Sequence, residues 1–150
     1  MNKLIMTACV SLMMITVCEA RWFKRYQPTQ AITTVSEEDS ADTYEIEQAL
    51  LEQVNLERAK YNLPLLTLSR DILLSARSHC LWMSKFRRFQ HAGPYAENIA
   101  MGQSDVKSVM QSWMGSNGHR ANILNRNYTL IGLAAYRSSN GTMYWVQRFQ

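Results

Sequence analysis

The run Trp113-Met114-Gly115-Ser116-Asn117-Gly118-His119-Arg120-Ala121-Asn122-Ile123-Leu124 decides how the chain is read. Upstream of it, Val106, Val109, Met110 and Trp113 recur at i, i+3, i+4 and i+7, which is one face of a helix. Glycines at 115 and 118 end that period, and a polar segment from His119 to Tyr128 follows. Downstream, Leu130 to Tyr136 and Thr142 to Phe149 read as strands around Ser138-Ser139-Asn140-Gly141, where Asn-Gly suits a hairpin turn needing positive φ. In the last strand Met143, Trp145, Gln147 and Phe149 share one face, and Tyr144, Val146 and Arg148 share the other. Two largely apolar faces predict a sheet covered on both sides, so the expected class is α+β, a three-layer α-β-α sandwich with a small antiparallel sheet.

Toward the N-terminus two more helices emerge. From Thr43, with Thr43 or Asp42 as cap, Ile46, Ala49, Leu50 and Val54 repeat at helical steps, ending near Tyr61-Asn62 ahead of Pro64. Leu65 to Leu68 reads as an extended connector, Ser69 as an N-cap, and Asp71 as an acid at the positive helix end. The helix that follows, to about Phe86, turns Ile72 or Leu73, Ala76, Cys80 and Met83 inward; Cys80 is therefore expected to be buried. Arg87 to Gly102 reads as a loop, with Arg87 and Arg88 as a solvated basic helix end.

At the start, Lys3, the apolar run Leu4 to Val17 and the small residue Ala20 form the pattern of a signal peptide over residues 1–20. The run falls short of the roughly 20 residues that span a bilayer. Cleavage there removes Cys9 and Cys18 and leaves Cys80 without an intrachain partner. Residues 21–42 lack an apolar period and read as a flexible leader, leaving 43–150 as one domain. Charge divides unevenly: residues 21–57 carry three basic and eight acidic side chains, residues 58–150 twelve and three. The basic part suits anionic partners; export and the lack of an aromatic-plus-basic RNA signature argue against nucleic acid.

His91, Glu97 and His119 stand out chemically. Only three acids follow Glu57, and helix starts account for Asp71 and Asp105, which leaves Glu97 unclaimed. Two imidazoles and a carboxylate suit a divalent ion such as zinc with an open water position, or acid-base work. The plainer reading has each histidine fixing a turn, with Glu97 paired to Arg120 or accepting backbone N–H groups. His79 reads as a solvated or helix-packing residue outside the site.

Six ordered motifs then resemble one family. They are Asn55-Leu56-Glu57-Arg58, Leu63 to Leu68, Phe89-Gln90-His91, Ala96-Glu97-Asn98-Ile99-Ala100-Met101-Gly102, the run 113–124, and Tyr144 to Phe149. Together they resemble the CAP (SCP-like) superfamily of cysteine-rich secretory, antigen 5 and pathogenesis-related proteins, in its short exported bacterial form, over residues 44–149. The resemblance implies an α-β-α sandwich with a central cleft, where two His and two acids bind zinc or another divalent ion in some members. His91, Glu97 and His119 match three of the four. The second acid has no counterpart, because Met114, Gly115 and Ser116 follow Trp113, and Ala96 stands where the motif has Gly. Asn55 and Arg58 are expected to brace a neighbouring loop, Asn98, Arg120 and Asn122 to hold backbone around the histidines, and Trp113 and Trp145 to be core.

Three functions follow, in this order of preference. The first is a secreted or envelope protein, not an enzyme, whose His/Glu cleft binds an unidentified ligand, a lipid or anionic cell-envelope polymer among the options. Next come a structural module binding anionic partners through its basic surface, and a metal-dependent hydrolase using His91, Glu97 and His119.

Overall fold

The computed structural model describes residues 41–150. The expected signal peptide and nearly all of the leader lie outside the described residues. Helix α1 spans Ala41–Lys60, strand β1 Thr67–Leu68, α2 Arg70–Phe86 and β2 Ala96–Met101. Then come α3 Val106–Met114, α4 Asn117–Ile123, β3 Leu130–Arg137 and β4 Met143–Phe149. The strands form one sheet in the order β1-β3-β4-β2, with β1 parallel to β3 and the other pairs antiparallel.

Strand alternation divides the interior into two cores. Ile131 and Leu133 of β3 and Trp145 and Phe149 of β4 pack with Leu50 and Val54 of α1, Trp113 of α3 and Ile123 of α4. On the other face Ala134, Tyr144, Val146 and Ile99 meet Ala76, Cys80 and Met83 of α2. Trp113 and Trp145 are core, as expected, and burying a large apolar side chain contributes roughly 1.5–3 kcal/mol. Cys80 is buried too, and its thiol donates to the Tyr144 carbonyl. Gly132 lets α2 approach β3: a Cβ there would stand 2.3 Å from the carbonyl carbon of Ile72.

The sandwich is as read, with three local corrections. The sheet is mixed, because Thr67 and Leu68 in the expected connector pair with Leu130 and Ile131. The expected loop from Arg87 to Gly102 contains β2, paired to β4 from Ala96↔Phe149 to Met101↔Tyr144. His119 lies inside a further helix, α4. Helix ends follow local chemistry: Asp105 and Ser108 cap α3 reciprocally, and Asn62 at φ 53 closes α1 ahead of Pro64. Ser69 occupies the N-cap of α2 without a side-chain cap bond, while α1 begins at Ala41, ahead of Thr43.

Arg58 ties α1 to the opposite end of the chain. The fully buried guanidinium donates to the carbonyls of Pro64, Ile123 and Asn125, each at 2.8 Å, and of Tyr128 at 3.2 Å. Asn55 grips the same connector, exchanging hydrogen bonds with the Leu66 carbonyl and amide at 3.0 and 2.8 Å. Replacing Arg58 strands several carbonyls at once. Arg58→Leu is expected to cost about 4 kcal/mol, lowering the urea midpoint. The control Lys60→Gln, at an exposed ion pair with Glu57, is expected to stay within about 0.5 kcal/mol.

Candidate functional site

Glu97 and Asn98 are neighbours on β2, so their side chains leave the strand toward opposite faces of the sheet. Glu97 enters the α2 side, where its carboxylate is buried. One oxygen accepts from His91 Nδ1 at 3.0 Å and from the Ala92 amide at 3.2 Å. The other accepts from His79 Nδ1 at 2.9 Å and from Arg148 Nε at 2.8 Å. A carboxylate only accepts, so each imidazole presents an Nδ1–H to it. In the neutral imidazole this leaves the lone pair of His91 on Nε2.

Arg148 carries this arrangement outward. Beyond Glu97 it donates to the carbonyl and hydroxyl of Ser75 on α2 and, at 2.9 Å, to the Ala92 carbonyl in the α2–β2 loop. Its guanidinium lies over the Tyr95 ring with the carbon 5.6 Å from the centroid, and Gly93, at φ +85, passes beside it. The loop bearing His91 is thus held from two sides by one cation and one anion.

Asn98 does the matching work on the other face. Its Nδ2 donates to the His119 carbonyl at 3.0 Å and to Gln147 at 3.1 Å, and its oxygen accepts from Asn122 at 2.9 Å. Along the outer edge of β2, Asn122 also donates to the Glu97 carbonyl, and the Trp113 indole N–H to that of Ile99.

His91 and His119 line one cavity of about 370 Å³. Its wall is mostly apolar, built from Phe89, Ile99, Met101 and Trp113. Gln103 and Ser112 add polar groups, and the Gln103 side-chain oxygen is buried without a protein partner. Burial and the neighbouring His91 lower the pKa of His119 from its ordinary value.

The expected site residues divide accordingly. His91 and His119 share the cavity, but Glu97 lies behind His91 with all its contacts taken by donors. Among the described residues no three His, Cys, Asp or Glu side chains are placed to hold a metal ion. The donor set therefore does not fit a three-ligand metal centre. Arg120 departs from expectation as well: it donates to the Tyr61 hydroxyl at 2.7 Å and stacks over that ring, and the cation that pairs with Glu97 is Arg148. His79, expected to be solvated or to pack on the helix, is buried and does stack on Trp82 of the same helix, but it also bonds Glu97 and so belongs to the site.

The model of the cysteine-rich secretory protein family, CAP, matches residues 51–149. The Bacillus subtilis (strain 168) protein YkwD is 33% identical over 135 residues, covering 78% of this chain and 51% of its own length. The chain thus spans about half of that relative. An extracellular protein containing a SCP domain from Bacillus anthracis str. Ames is 27% identical, with a TM-score of 0.64 over 71% of this chain and 40% of that one. An outer surface protein of Borrelia burgdorferi is 18% identical and shares the fold, with a TM-score of 0.66 over 70% of this chain and 91% of that one.

Two outcomes test this geometry. Glu97→Gln leaves the Arg148 cation without its anion and is expected to cost about 3 kcal/mol, of which Arg148→Met in the same chain recovers about half. In an NMR pH titration His119 is expected to titrate below 6.5, and His91→Ala moves it upward by removing a like charge. A depressed imidazole pKa favours the folded state above the unfolded value. That contribution is lost as pH falls through the folded pKa.

Proposed function

The chain belongs to the cysteine-rich secretory protein (CAP) family, and from that membership we propose that it is an exported protein whose cleft binds a small, largely apolar ligand carrying a hydrogen-bonding group. One observation carries this reading: the His91–His119 cavity joins apolar walls to a few convergent polar groups, among them the unmet Gln103 oxygen. That combination is typical of small-molecule sites, where the apolar wall supplies affinity and the polar groups fix orientation. Glu97 and Asn98 act as positioning residues, holding His91 and His119 from behind. The chain works outside the cytoplasm or at the cell envelope; the pattern of residues 1–20 and the extracellular relative support this. No helix among the described residues is long and apolar enough to cross a membrane.

The metal-dependent hydrolase is the weaker reading, since Glu97 would have to exchange existing donors for the ion.

A neutral apolar fluorophore, Nile red, tests the binding reading. The whole chain is expected to bind it, with affinity unchanged by a chelator and reduced at least about tenfold by Ser112→Trp, which fills the cavity from the exposed side of α3. Equal binding by the variant would move the ligand elsewhere. In parallel, zinc is expected to leave the melting temperature unchanged in wild type and in the His91→Ala/His119→Ala variant. A rise of about 5 °C or more confined to wild type would restore the metal reading.

A further inference from the structure

A second cavity, of about 340 Å³, opens where the C-terminal turn of α2 meets the β3–β4 turn. Lys85 and Arg87 reach it from α2, and no Asp or Glu lines it. Among the described residues neither cation has an ion-pair partner. Cations at a helix C-terminus are ordinary, because they meet the negative end of the dipole. The rest of the lining goes beyond that.

Tyr136 and Tyr144 stand directly opposite one another on β3 and β4, on the face turned to α2, and both line the cavity. Tyr144 is 6% exposed, whereas Tyr136 is 41% exposed and offers its ring to the opening. In the turn, the Asn140 side-chain oxygen accepts from the Thr142 amide at 3.1 Å and from the Ser138 hydroxyl, so its NH₂ group is the amide's remaining donor, and Asn140 and Ser139 both line the opening. Arg87 itself sits at φ 51, ψ 40, a left-handed cap that glycine adopts at no steric cost. An arginine there accepts strain, and it lines the cavity.

We propose that this cavity binds the phosphate of a phosphorylated polyol or sugar. Two unpaired cations match a phosphate dianion, with the guanidinium able to bond two of its oxygens at once. The tyrosine and asparagine donors and the exposed Tyr136 ring suit a hydroxylated carbon skeleton. The volume lies at the lower end of small-ligand sites, roughly 300–1,000 Å³. The phosphate has two possible sources, a free ester or the repeating unit of a phosphodiester polymer.

The test is titration of the whole chain with glycerol 3-phosphate, read by calorimetry and by amide shifts of Tyr136 to Asn140. Expected are saturable binding that weakens with salt, none with glycerol, and weaker binding of inorganic phosphate. Arg87→Gly is expected to weaken binding at least tenfold while the melting temperature holds, since glycine fits this cap; Lys85→Gln acts in the same direction. Ser112→Trp, at the other cavity, leaves the titration unchanged. Saturation at Tyr136 to Asn140 by poly(glycerol phosphate) at lower phosphate concentration than the monomer assigns the polymer, and the reverse order assigns the free ester. Absent shifts at these residues, full affinity in Arg87→Gly, or equal binding of glycerol overturns the proposal.

Discussion

A single carboxylate placed out of water organises this protein. An isolated buried charge costs several kcal/mol, so Glu97 is tolerable only with a cation and donors packed around it. Those groups come from three separate stretches: His79 from α2, His91 and Ala92 from the following loop, and Arg148 from the last strand. Satisfying Glu97 therefore fixes α2 against the sheet, and through Arg148 it also fixes the loop that presents His91. Asn98, one residue on, reaches the other layer and holds α4 by the His119 carbonyl. Both imidazoles of the cleft owe their places to one dipeptide on an outer strand.

Helices α1, α2 and α3 were legible because their apolar period and end chemistry agree: the stripe of α2, the Asp105 start of α3 and the Asn62 turn all fall where the residues place them, whereas the seven-residue α4 is too short and polar to show a period. Strand β2 was not. Its inward residues include Glu97 and Asn98, so apolar alternation, the usual sign of a strand, is replaced by polar groups whose partners are distant in sequence. β1 is two residues long and gains its identity only from pairing with β3.

Two site residues escaped the sequence reading although it held their signal. His79 falls beside Cys80, between Ala76 and Met83, on the same buried face of α2. Arg148 alternates with Tyr144 and Val146 on the inward face of β4. An inward histidine and an inward arginine each demand a partner, and Glu97 was the acid left unclaimed after capping. What sequence could not supply was the distance: His79 and Glu97 are 18 positions apart, Arg148 and Glu97 51. The same gap hid the Arg58 contacts, whose partners among residues 123–128 become neighbours only when the sandwich closes.

The two borders of the sheet carry a consequence for how the protein behaves in a crowd. A sheet edge with free backbone groups invites strands from other molecules and is a starting point for aggregation. Here β1 ends one side after two residues. On the other side, the outward carbonyls of Glu97 and Ile99 are occupied by Asn122 and the Trp113 indole. A foreign strand would have to displace a buried tryptophan to dock, so the side chains that shape the cleft also keep neighbouring copies apart.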